Sequence, residues 1–273
     1  MNGRSIPVRQ FLALTVLLIF LAGLPGASQA NDAEYSSVLP IIIAPPGVLI
    51  VDDEESLRAA VETANRAGQF PRIEITADIG LTAPLPALDN PRAGTAVISG
   101  NGYTLDGNRV GSVLAIGANT GVAIEQLTIT DGSGSGSDSG ECGGGIYSEG
   151  ELTLRQSHVV GNWARRGAGI CALSLRPGTA VLTLEESTVS DNHASILGGG
   201  IYANSAYGDM KVTINDSLLQ ANTARDSGGG IMAYASSNKW LELNVENSTL
   251  SGNRANYFVG GAIFSACLLY TSD

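Results

Sequence analysis

Cysteine, histidine and lysine are all scarce in this chain of 273 residues. The three cysteines, Cys142, Cys171 and Cys267, are too few for a disulfide-built scaffold, so stability has to come from packing. The two histidines, His158 and His193, fall at different places in the repeat described below and do not make a metal pair. Lysine occurs only as Lys211 and Lys239, and 26 acidic residues face 15 basic ones, for a net charge of −11. An acidic surface of this kind excludes the phosphate-backbone mode of nucleic-acid binding and disfavours anionic lipid and polyuronates. No apolar run reaches the roughly 20 residues that a spanning helix needs. The longest, Phe11–Leu24, has 14 residues.

That run has its own meaning. Arg4 and Arg9 precede it, and Ser28 and Ala30 follow it with small-residue spacing, which predicts a secretory signal over 1–30 cleaved after Ala30. Removing two arginines and no acid leaves 13 basic residues against 26 acidic ones. Residues 31–50 carry Pro40, Pro45 and Pro46 and read as an extended linker entering a strand at Val48–Val51. Residues 51–94 read as a strand-helix-strand cap. Asp52 and Glu55 have capping-box spacing, Leu57, Ala60, Val61 and Ala64 share one helical face, and Gly68 fits the stop. Residues 72–78 alternate as a strand does.

From about residue 95 the chain repeats. LTLRQSHVVGN, LTLEESTVSDN, VTINDSLLQAN and LNVENSTLSGN align without gaps, with serines at 157, 187, 217 and 248. Asn162, Asn192, Asn222 and Asn253 close the four segments. VAIEQLTITDG is a weaker earlier copy, with Leu127 in the serine column and Gly132 in the asparagine column. A glycine motif ending in isoleucine recurs at 143, 167, 198, 228 and 260. Apolar columns of period two, three short strands per repeat and glycine corners predict an all-β fold, a single-stranded right-handed parallel β-helix with rungs of about 30 residues and a short N-terminal helical cap. The asparagines suit an inward ladder, since stacked amides bond along the coil and Asn tolerates left-handed backbone.

These residues resemble the pectin-lyase-like β-helix superfamily, and within it exported bacterial repeat proteins such as the chlamydial polymorphic outer-membrane proteins. ESLRAAVETAN, followed by ISGNGYTLDGN and LTITDG, resembles the CSLREA-type N-terminal module, with Glu55 standing where that module has cysteine. The resemblance spans about residues 50–266 and implies export, an outer-membrane or extracellular location, and often a C-terminal anchor or barrel. Cys267–Asp273 reads CLLYTSD, the translation of a transposase adapter used in sequencing libraries. The expectation is therefore that the β-helix of 95–266 is interrupted near Ala266 and that 267–273 is foreign to it.

Few residues suggest chemistry. Cys142 and Cys171 sit five positions apart in repeat register, about 16 Å along a strand, against the ~7 Å limit of a disulfide, so two unpaired thiols are expected. Glu125, Arg155 and Glu185 form an outward charge column. Glu186 and Asp216, with Gln156 and Asn247 beside them, are adjacent carboxylates that could hold calcium or share a proton, or simply form a solvated corner. Trp163, Arg165 and Arg166 offer an aromatic and basic patch for sugar faces or carboxylates. Asp191 beside His193 has the look of an acid–base pair at an ordinary turn. No dense aspartate cluster is present, and no Lys or Arg is paired beside Glu186 and Asp216. The expected function is structural or adhesive display at the cell surface. Its partners would be glycans or proteins and not nucleic acid, it would need no cofactor, and its only membrane contact would be a C-terminal anchor. The alternative is a polysaccharide lyase or glycoside hydrolase on the same fold.

Overall fold

The computed structural model describes residues 47–134, 142–236 and 238–267. The signal segment, the linker as far as residue 46 and the adapter-like tail after Cys267 lie outside the described residues, and Val48–Val51 is the strand expected at the end of the linker. The chain coils as an all-parallel β-solenoid, successive rungs adding strands to four sheets. The first sheet has eight strands, from Val48–Val51 to Leu241–Glu246, and the second seven, from Ile79–Gly80 to Thr249–Ser251. A further sheet of six strands runs from Leu114–Ile116 to Ile263–Cys267. Parallel strands joined through a whole rung take the right-handed sense.

Register follows the repeat. Leu152, Leu182, Val212 and Leu243 pair in sequence, as do Leu154, Leu184, Ile214 and Val245. Side chains alternate across a strand, so these columns point inward while Thr153, Thr183 and Thr213 between them point out. The inward columns merge into one core that runs from Leu49 to Ile231.

A rung has four strands rather than the three expected. Trp163–Arg166, His193–Leu197, Thr223–Ala224 and Arg254–Ala255 form a short sheet between the second and the six-stranded one. Its inward column is alanine: Ala164 pairs with Ala194, Ala194 with Ala224 and Ala224 with Ala255. These strands are as short as two residues, too brief for alternation to show, and their one sequence signal is an alanine two positions after each ladder asparagine.

The cap helix, α1, spans Glu54–Arg66 and buries Leu57, Ala60, Val61 and Ala64 in the same core as the first rungs. Its N-cap is Asp53, one residue later than the spacing of Asp52 and Glu55 suggests. Asp53 Oδ1 accepts from Ser56 N at 2.8 Å, and Asp53 N donates to Ser56 Oγ at 3.2 Å. The serine hydroxyl makes the reach-back bond usually given to Glu, which frees the first-turn acids for other contacts. The helix ends at Arg66 with an extended C-cap at Ala67, and Gly68, which follows the cap, does not take the left-handed backbone of a glycine stop.

Cys142 and Cys171 form a disulfide with Cα atoms 5.6 Å apart, contrary to the expectation of unpaired thiols. The expectation measured five residues as extended strand, but they form a corner. Gly143 has φ +70°, and a Cβ there would lie 2.9 Å from Tyr147 Cα. The corner folds Cys142 back toward Tyr147, and Cys171 is the register partner of Tyr147.

Candidate functional site

The asparagine and serine columns are directional ladders. Asn162 N and Nδ2 both donate to Asn192 Oδ1 at 3.0 Å, and Asn192 N and Nδ2 to Asn222 Oδ1 at 3.1 and 2.9 Å. Asn222 repeats the pattern onto Asn253 Oδ1 at 3.0 Å. Each ladder amide also reaches a carbonyl one rung back, as Asn192 Nδ2 does to Val159 O at 2.9 Å. The serines do likewise: Ser157 N donates to Ser187 Oγ, Ser187 N to Ser217 Oγ and Ser217 N to Ser248 Oγ, at 3.0–3.2 Å. Buried N–H groups at two corners per rung are satisfied in this way, each bond worth roughly 1 kcal/mol net.

Glu186 and Asp216 stand one residue before the serines, in a column with Gln126, Gln156 and Asn247. All five have φ between 49° and 52°. One left-handed residue turns the chain from the first sheet into the second, so the column exists for backbone geometry, and its amides bond along it. Gln126 Nε2 donates to Gln156 Oε1 at 3.3 Å, and Gln156 Nε2 to Glu186 Oε2 at 2.9 Å. Glu186 thus ends an amide chain at an exposed corner. Among the described residues no group of three or more His, Cys, Asp or Glu is placed to hold a metal ion.

Beside this column the outward charges pair across rungs. Arg155 Nε lies 2.7 Å from Glu185 Oε2, and Arg72 Nη2 3.0 Å from Glu125 Oε2. Both pairs are partly exposed, where such contacts contribute little.

Trp163 and Arg165 project outward from the first strand of the short sheet. The Trp163 ring is 43% exposed but already engaged from rungs on both sides. The Arg109 guanidinium lies 5.2 Å from its centroid and the His193 ring 4.5 Å, tilted by 50°. His193 Nδ1 meets the Thr223 hydroxyl of the next rung. The arrangement is an axial stack Arg109–Trp163–His193–Thr223 that uses the indole as a spacer. Arg166 turns away from Trp163 and Arg165 across a bulge and lies near Tyr202, whose hydroxyl is held above its ordinary pKa mainly by burial, with Arg166 opposing.

One feature escaped the sequence reading. The residue after each motif isoleucine is outward yet apolar: Tyr147, Cys171, Tyr202, Met232 and Phe264 stack in register. With Cys142 they form a second apolar cluster outside the solenoid core. Tyr147 donates to Glu149 Oε1 at 2.6 Å, and burial and that carboxylate together raise its pKa. Tyr147, Glu149 and Arg176 line a cleft together with Pro84, Leu85 and Asp89.

No family model, curated protein or solved structure matches this chain.

Proposed function

We propose that the chain is an exported β-helix of the pectin-lyase-like, CSLREA-bearing kind, displayed at the cell surface as a structural or adhesive element that meets glycans or proteins through its rung faces. The observation that carries this reading is how the polar outer columns are spent. Arg155–Glu185 and the Gln126–Gln156–Glu186 chain bond to neighbouring rungs, and Arg72–Glu125 reaches across the intervening strand Thr95–Ser99. A surface committed to holding its own rungs in register is that of a scaffold. The Cys142–Cys171 disulfide adds support for export, because such bonds persist in oxidising compartments. Fold alone does not give activity, and anchoring would come from a C-terminal barrel or cell-surface segment.

The test is to express the full gene in its bacterium, label intact cells with an antibody against the rungs, and incubate the purified chain with polygalacturonate and neutral glycans. Surface labelling with no release of unsaturated uronates or reducing ends is expected. Retention inside the cell sinks the display reading, and turnover of a polysaccharide establishes the enzymatic alternative.

A further inference from the structure

The corner at which the six-stranded sheet returns the chain to the first sheet is stacked from rung to rung. Glu149 N donates to Ile116 O at 3.0 Å, and Tyr207 N to Ser174 O at 2.8 Å. Trp240 N donates to Asp209 Oδ1 at 3.2 Å. Two clefts open on this corner and share Ala118, Glu149 and Arg176. The larger, of about 370 Å³, reaches Pro84, Leu85 and Asp89 and falls in the size range of small-ligand sites. The smaller reaches Glu151 and Thr179. Together they form one groove along the solenoid axis. On the next two rungs of the same corner stand the rings of Tyr207 and Trp240, 67% and 48% exposed.

The polar groups here are spent differently from those of the other outer columns. The side chains of Asp89 and Arg176 make no hydrogen bond or ion pair among the described residues. The Tyr147 hydroxyl donates to Glu149 Oε1 at 2.6 Å and so orients that carboxylate, whose other oxygen is left as an acceptor. Three carboxylates, Asp89, Glu149 and Glu151, line the groove against one cation, Arg176.

We infer that this corner is the chain's glycan-binding site and that its ligand is a strand of uncharged polysaccharide lying along the axis. The inference rests on the surface-contact reading above and names where that contact is made and with what. Sugar hydroxyls donate to Asp89 and Glu149 and accept from Arg176, while the apolar faces of the rings lie on Tyr207 and Trp240. A polyuronate would bring an acid on each unit toward three carboxylates and is repelled. From Asp89 to Trp240 the corner covers five rung spacings, roughly 24 Å at about 4.8 Å each. That length suits several sugar rings rather than one.

Affinity electrophoresis of the purified full chain through native gels cast with galactomannan, xyloglucan or polygalacturonate tests this. Retardation by at least one of the two neutral polysaccharides, and none by polygalacturonate, is expected. Arg176→Ala and a Y207A/W240A double variant should each weaken the affinity read from the gels at least about tenfold, because Arg, Tyr and Trp carry a large share of contact energy. All three side chains are exposed, so the fold should survive their loss. Trp163→Ala, on the short sheet, should leave retardation unchanged. Mobility that neither neutral polysaccharide alters overturns the inference. So does retardation that survives both corner variants, which puts the contact elsewhere on the surface, and so does retardation by polygalacturonate alone. None of these outcomes touches the display reading, which fails instead if intact cells do not take the antibody.

Discussion

The two ends of the described solenoid meet water differently. At the N-terminal end α1 lays Leu57, Ala60, Val61 and Ala64 over the first rungs, and Val51, Ile73 and Ile75 beneath are almost wholly buried. At the other end the inward columns continue in sequence, but Leu243, Val245 and Leu250 are only half-buried and Ile263 is 38% exposed, where Ile231, Ile201 and Ile170 are fully buried. The side chains are alike and the registers identical. What differs is the neighbour: an inward residue gains its full burial only when something covers the next level along the axis. The same holds for the ladders, in which the backbone N–H of each of Asn162, Asn192 and Asn222 points to the rung that follows.

The sharpest way to break this comparison is to truncate one column at two levels. Ile231→Ala removes a fully buried side chain with rungs on both sides and is expected to destabilise by about 2–5 kcal/mol. Ile263→Ala, one rung on, is expected to cost less than about 1 kcal/mol, in the range of surface changes. Urea denaturation of the two variants measures the gap. Equal costs would mean that residue 263 is covered in solution, and that the difference between the ends does not exist there.

The asparagine ladder gives a smaller effect of the same kind. Asn192 accepts from Asn162 N and Nδ2 and donates to Val159 O and Asn222 Oδ1. Asn192→Ala strands a buried N–H on Asn162 and leaves a void, for an expected loss of about 2–4 kcal/mol. Asn253 still accepts from Asn222 but is itself only half-buried, so Asn253→Ala is expected to cost about half as much. The order Asn253 above Asn192 in the same denaturation series would refute a ladder whose strength depends on cover.

How much of this was legible followed the length of each signal. The ladder columns and the rung period stood out because four copies repeat every 30 or 31 residues, enough for apolar alternation to declare the inward face. The alanine sheet did not, because a two-residue strand has no period. The outward column Tyr147–Cys171–Tyr202–Met232–Phe264 was passed over because apolar residues on a solenoid are expected to face in, and here a second cluster receives them. The disulfide was misjudged because a spacing along sequence was converted to distance as if the chain stayed extended, and the glycine at 143 bends it back. Glu186 and Asp216 were visible as carboxylates, but the left-handed backbone that places them there belongs to geometry the letters Gln, Gln, Glu, Asp and Asn only hint at.

The smallest expected effect lies at the covered end and depends on pH. Glu54, in the first turn of α1, is partly desolvated, which alone would raise its pKa. Hydrogen bonds from the Thr82 hydroxyl, the Arg58 guanidinium and the Thr82 and Ala83 N–H groups outweigh that and bring it down to about 2. These bonds tie the helix to the loop that begins at Thr82. A carboxylate whose folded pKa lies below its ordinary value of 4.5 contributes its full stabilisation above 4.5, and loses it as pH falls toward 2. Glu54→Gln is therefore expected to lower Tm by about 2–4 °C at pH 7, as for roughly 1 kcal/mol in a chain of this size, since solvent screens part of the interaction. The gap between wild type and variant should shrink steadily as pH is taken from 5 to 2, because the protonated wild-type carboxyl then resembles the amide. A gap that stays constant over that range would show that the tie is steric packing of the side chain against the loop and owes nothing to its charge.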